Sequence, residues 1–186
     1  MPDLFLFGGP NGAGKTTTAL RVLRDFGCGE FVNADAIAAA LSPFRSEAVD
    51  WKAGVLMMRR LRELAASGID FATESTLAAR AYVPFIRDCQ ARGYRFNLIY
   101  VWLPNADIAV ERVAARVRAG GHNIPEATIR RRYEAGRANF LELYRPLADF
   151  WKLHDNSAPA AKVIAQGGRG QDDEIFDAAK WQEFLR

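Results

Sequence analysis

The chain has 186 residues, of which 49% are hydrophobic and 25% charged, with a net charge of +3. That length and balance suit a single globular domain over residues 1–186 with a substantial core, and exclude a disordered or low-complexity chain. No apolar stretch approaches a membrane span, the N-terminus lacks a basic signal-type region, and the two cysteines, Cys28 and Cys89, make no metal or redox spacing. A reduced, cytoplasmic protein without a membrane partner is therefore expected.

Leu4-Phe5-Leu6-Phe7 is a short apolar run of the kind a buried parallel strand needs. It leads into Gly9-Pro10-Asn11-Gly12-Ala13-Gly14-Lys15-Thr16, which fits G-x-x-x-x-G-K-[ST] at every fixed position. Thr16 to Leu23 then places Ala19, Val22 and Leu23 on one helical face. Strand, glycine loop and helix thus come in the order of an ATP or GTP site, with Gly9 to Thr17 as the binding stretch. The glycines let backbone N–H groups turn toward phosphate, and the helix N-terminus adds partial positive charge. Lys15 would reach the β- and γ-phosphates and the Thr16 hydroxyl would ligate Mg²⁺.

Glu30 to Asn33 reads as a second strand, and Asp35 stands where its carboxyl end passes into a helix. That is the ligand edge of an open α/β sheet, but Asp is also a favoured N-cap, and both readings stay open. Ser42-Pro43-Phe44 interrupts before a helix from about Glu47 to Ser67, with Met57, Leu61 and Leu64 on its core face and Gly68 closing it. A third strand, Ile69 to Thr73, ends in Glu74-Ser75-Thr76, again at the ligand edge or else capping the next helix. That helix begins near Pro84 and ends at Gly93. Tyr94 to Leu103 is a fully buried central strand. No acid follows it, only Pro104-Asn105, which disfavours an NTP-driven switch or nucleic-acid ATPase.

Asn105 caps a helix to about Arg118, followed by the turn Gly120-Gly121-His122-Asn123-Ile124-Pro125. The next helix carries Ile129, Tyr133, Gly136, Phe140, Leu143 and Leu147, and Pro146 should bend or end it. Between residues 112 and 137 seven arginines (Arg112, Arg116, Arg118, Arg130, Arg131, Arg132, Arg137) face only Glu126 and Glu134, a local +5. This concentrated charge suits a polyphosphate better than a long nucleic acid. A helical, arginine-rich lid over about 112–137 is expected, with an exposed basic hairpin as the plainer reading. Lys152 to Ser157 and Lys162 to Ala165 are closing strands. Gln166 to Gly170 is a loop placed for adenine, and a C-terminal helix starts near Asp172. The expected fold class is α/β: a P-loop NTPase with three α/β/α layers and a mostly parallel sheet. His122 and His154 are the only histidines, so a histidine zinc site is disfavoured.

These residues together resemble the zeta-toxin family of P-loop kinases. The match runs through the Gly9–Thr17 loop, Asn33-Ala34-Asp35, Thr73-Glu74-Ser75-Thr76, Arg116-Val117, Gly120-Gly121-His122, Ile129 to Tyr133 and Asp155-Asn156-Ser157. The resemblance implies an ATP- or GTP-dependent phosphotransferase acting on an alcohol, with UDP-N-acetylglucosamine as the family's acceptor and a separate antitoxin as partner. It implies Asp35 as general base, with Glu74, Thr76 and His122 beside it holding the acceptor. Lys15, Arg116 and one or more of Arg130, Arg131 and Arg132, Arg131 and Arg132 foremost, would neutralise the transferring phosphoryl group. No segment of this compact chain identifies a uridine or acetamido pocket, so a metabolic or antibiotic-modifying small-molecule kinase is the alternative.

Overall fold

The computed structural model describes residues 1–42, 49–121 and 123–186. Its parallel strands are β1 (Asp3–Gly8), β2 (Phe31–Val32), β3 (Phe71–Ser75), β4 (Arg95–Trp102) and β5 (Phe150–Asp155). β6 (Lys162–Gly168) and β7 (Gln171–Ile175) complete a seven-stranded sheet in the order β2-β3-β1-β4-β5-β6-β7, each of these two antiparallel to the strand before it. The helices are α1 (Lys15–Phe26), α2 (Ala34–Leu41), α3 (Asp50–Ser67), α4 (Tyr82–Ala91), α5 (Ala106–Arg118), α6 (Glu126–Asn139) and α7 (Ala178–Leu185).

Side-chain alternation along the central strands assigns the helices to two faces. Leu4, Leu6, Leu98, Tyr100 and Trp102 point to a core shared with Leu61 and Leu64 of α3, Phe85 and Ile86 of α4, and Phe184 of α7. Phe5, Phe7 and Ile99 point the other way, onto Ala19 and Leu23 of α1. On that same face Val101 and Leu103 meet Ala109 and Val113 of α5, with Ile129 and Tyr133 of α6. Both sheet faces are therefore covered, which is why β1 and β4 read as unbroken apolar runs. The result is the three-layer, mostly parallel α/β P-loop fold expected from the sequence.

Most predicted boundaries agree. Asn105 caps α5 by accepting from Ile108 N at 3.0 Å, and Gly68 ends α3 in the left-handed region at φ 68°. The predicted start of α3 at Glu47, and Pro43-Phe44 before it, lie outside the described residues. Beyond α6 the chain loosens into a π turn, Phe140–Tyr144, then a 3₁₀ turn, Arg145–Leu147, and stops there, as Pro146 demands.

The carboxyl-terminal region differs from expectation. Gln171–Ile175 is an edge strand, and α7 begins only at Ala178, capped by the Asp177 side chain. All five β7 residues are exposed, so no apolar period marked them, and acidic side chains suit an unpaired edge. The Gln166–Gly170 stretch is the end of β6 and a tight turn into β7. Arg169 there reaches Leu147 O and Asp149, at the amino end of β5. It therefore sits at the opposite end of the sheet from the glycine loop and cannot hold adenine.

Candidate active site

The carboxyl ends of β1, β2 and β3 bring together the glycine loop, Asp35 and Glu74. The glycine loop joins β1 to α1, and Gly14 caps α1 in the left-handed region at φ 86°. Lys15, the first helical residue, is half-buried and turns back so that its Nζ donates to Pro10 O at 3.0 Å. Dehydration lowers its pKa below the ordinary lysine value, and Arg116 and Arg132 press the same way. Glu74 and Asp35 oppose them. Four charged groups from four separate segments are thus within electrostatic range of one ammonium.

Thr16 Oγ1 donates to Glu74 Oε2 at 2.8 Å, and Asn33 Nδ2 donates to Glu74 Oε1 at 3.1 Å. The Glu74 carboxylate is therefore clamped between the first turn of α1 and the end of β2. Asn33 also caps α2, its Oδ1 accepting from Asp35 N at 2.8 Å and Ala36 N at 3.2 Å. The cap of α2 is thus Asn33. Asp35, one of the two readings for which was an N-cap, lies in the first helical turn with its carboxylate exposed. Asn33 carried no assigned role in the sequence reading, although S/T/D/N before a helix is a readable capping signal.

Asp35 lines a cavity of about 470 Å³, together with Asn11, Thr128, Arg131 and Arg132. Asn11 is 9% exposed, and its Oδ1 is buried with no hydrogen-bond partner among the described residues. An amide oxygen left this way costs roughly 1–3 kcal/mol unless a bound group supplies a donor.

The arginine cluster divides by partner. Arg130 pairs with Asp107 at 2.7 Å and Glu126 at 2.8 Å, fastening α6 to α5. Arg137 donates to Phe184 O at 2.8 Å, and Arg112 to Asn156 O at 2.8 Å. Arg131 and Arg132 are the members of the Arg130–Arg132 run that reach the cavity, and Arg116 comes within range of Lys15.

Thr76 is placed differently from Glu74. Its carbonyl packs under α6, where a Cβ on Gly136 would fall 2.3 Å from Thr76 O, and Thr76 is outside the cavity lining. The next residue, Leu77, is fully buried at φ 58°, a strained conformation for a branched side chain. It is held there by Ser75 Oγ, which accepts from Leu77 N, and by Asn139 Nδ2, which donates to Leu77 O at 2.8 Å. The helix that carries Arg131 and Arg132 thus also holds the segment that follows Glu74. His122 lies outside the described residues.

The donor set suits a divalent cation bound largely through substrate. Thr16 and Glu74 offer one hydroxyl and one carboxylate side by side. Among the described residues no cluster of three or more His, Cys, Asp or Glu could hold a metal alone. The Thr16–Glu74 pair could hold a Mg²⁺ ion whose other ligands come from water and phosphate oxygens. Among the described residues no helix is long and apolar enough to cross a membrane.

Several known proteins are similar to this chain. An uncharacterized protein of Haemophilus influenzae (strain ATCC 51907 / DSM 11121 / KW20 / Rd) is 29% identical over 125 residues, 67% of this chain and 88% of its own. The structure of AvrRxo1-ORF1:AvrRxo1-ORF2 with sulphate ions is similar at TM-score 0.78 and 18% identity over 99% of this chain, which spans 63% of that one. The PezAT toxin–antitoxin system of Streptococcus pneumoniae is similar at TM-score 0.69 and 16% identity, covering 97% of this chain and 76% of that one. The AAA domain family model matches residues 4–141, from the start of β1 to just past α6, and on that match the chain belongs to the AAA domain family.

Proposed function

We propose that this protein is a phosphotransferase that moves the γ-phosphoryl group of ATP or GTP to a hydroxyl of a nucleotide-sugar or similar acceptor, in the manner of zeta toxins. The observation that carries the reading is the shared site. Asp35, Glu74, Arg116 and Arg132 all act on Lys15, and a cavity lined by Asp35, Arg131 and Arg132 opens next to the loop. A phosphate donor site, a carboxylate base and convergent guanidiniums are the three parts that phosphoryl transfer to an alcohol needs.

In this mechanism Lys15 exchanges the Pro10 carbonyl for phosphate oxygens, whose negative charge favours its ammonium form. Thr16 and Glu74 would hold Mg²⁺, whose chemistry is to neutralise charge on the bridging phosphate oxygens. Asp35 accepts the proton of the acceptor hydroxyl. An alcohol has such a proton to lose, and a base within reach is worth ~10²–10⁴-fold in rate. Arg116, Arg131 and Arg132 stabilise charge on the group in flight, and α5 with α6 form the lid over about 112–137 that excludes water from it. Glu74 and Thr76 remain the candidates for acceptor binding, with Thr76 contributing from the margin of the site.

A separate inhibitory polypeptide belongs to the same reading. Its support is likeness in fold to AvrRxo1-ORF1 in complex with ORF2 and to a toxin–antitoxin system. The reading is tested by incubating the protein with Mg²⁺ and γ-labelled ATP or GTP and a panel of UDP-sugars, free sugars and aminocyclitols. Label on UDP-N-acetylglucosamine is the expected result. Label on a free sugar or aminocyclitol makes it a metabolic or resistance kinase. Hydrolysis alone, stimulated by nucleic acid, contradicts the proposal.

A further inference from the structure

Asn156 is the first residue beyond β5, and its backbone N donates to Trp102 O at 3.0 Å, which extends the β4–β5 ladder by one bond. Its backbone is therefore as fixed as the sheet. From there its side chain crosses to the glycine loop, Nδ2 donating to Ala13 O at 2.7 Å. On its other side Arg112 of α5 donates through Nη2 to Asn156 O at 2.8 Å and Ser157 O at 3.3 Å. A strand end, a helix and the loop thus meet at one residue, the helix at its backbone carbonyl and the loop at its carboxamide.

We propose that Asn156 is a positioning residue for the glycine loop, held in turn by Arg112. Its carboxamide sets the peptide plane between Ala13 and Gly14 so that the Gly14 N–H faces a bound polyphosphate. The inference rests on the nucleotide-binding reading of that loop. Its physical basis is the planarity of the trans peptide. Within one unit the carbonyl and the following N–H point in opposite directions, and the barrier to rotating about the bond is high. With Ala13 O held outward, against the protein, the Gly14 N–H is turned inward, toward the side where phosphates bind.

Gly14 itself fits this role. Its φ is +86°, and a Cβ there would fall 2.7 Å from Asn156 Nδ2. Any other residue would strain the backbone and displace the carboxamide together. The glycine of the motif is thus required here by a protein contact as well as by room for phosphate. Because the constraint acts on the loop, it serves every ligand that places a phosphate there, whatever its base.

Isothermal titration of wild type and N156A with Mg-ATP, and separately with magnesium pyrophosphate, tests this. N156A is expected to bind both ligands about tenfold more weakly, the loss of one hydrogen bond that aligns the loop. R112A should weaken both in the same direction, and R112A/N156A should be no weaker than N156A alone, since Arg112 acts through Asn156. Loss for ATP with pyrophosphate unchanged would assign Asn156 to the base and overturn the proposal. So would a lower thermal midpoint with unchanged affinity for both ligands, which marks a merely structural residue. If N156A does not fold, N156S, too short to reach Ala13 O, is read by the same outcomes. Wild-type protein that bound neither ligand would overturn the nucleotide reading and this inference with it; wild-type binding with an unaffected variant overturns the inference alone.

Discussion

At the scale of single residues, the buried histidine of β5 shows how packing next to the site is tied to pH. His154 is 7% exposed, neither ring nitrogen has a partner among the described residues, and burial, with Lys152 and Arg21 nearby, pushes its pKa down to about 4. The unfolded chain holds the imidazole near the ordinary value of about 6.5, so between those values the unfolded state binds more protons. Stability is therefore fully present above about 6.5 and is lost as pH falls toward 4, by roughly 2 kcal/mol at pH 5. Urea unfolding of wild type and H154L at pH 7.5 and pH 5 measures it. The variant should lose distinctly less stability over that interval than the wild type. None of this was legible beforehand: a lone histidine in a strand carries no signal of its burial. Lys15 and Thr16 open α1 as their local pattern, whose chemistry dictates residue type, had placed them, whereas two readings stayed open for Asp35. Asn156, though part of the Asp155-Asn156-Ser157 stretch, had no chemistry assigned to it; its partner, Ala13, is 143 residues away in the chain.

At the scale of elements, α2 and β3 are joined through Asn33, which caps the helix with its oxygen and steadies Glu74 with its nitrogen. The two roles separate by substitution. N33A should lose the cap and about 1 kcal/mol of stability. N33D keeps a capping oxygen but sets a second carboxylate against Glu74. It should therefore melt near wild type above pH 6 while kcat/KM for phosphoryl transfer falls at least about tenfold, as a charge-assisted bond is replaced by repulsion. Thermal melts with steady-state kinetics on both variants check the split. Strongly patterned elements such as β4 and α5 were readable to within a residue or two, because both depend on a single apolar period and, for α5, a capping Asn. β7 was not readable. Its stability comes from pairing with β6, including Gln166 Nε2 to Glu174 Oε2 at 2.7 Å, and pairing leaves no trace in a fully exposed sequence.

At the scale of the molecule, the sheet gathers the chemistry at one edge while the helices divide the charge. Of the arginines concentrated in α5 and α6, Arg112, Arg130 and Arg137 fasten elements together, whereas Arg131 and Arg132 line the cavity. Sequence counting saw the excess charge but not this division, which depends on where α6 lies across the sheet. That placement is set by the contact of Gly136 with Thr76 and by the hold of Asn139 on Leu77. The central claim is that this edge is a kinase site in which Asp35 removes the acceptor proton. Single-turnover phosphoryl transfer by D35N, measured beside its affinity for Mg-ATP, tests that claim most directly. ATP affinity within about threefold of wild type is expected, with transfer slowed by at least ~10²-fold; transfer at the wild-type rate would rule out Asp35 as the base.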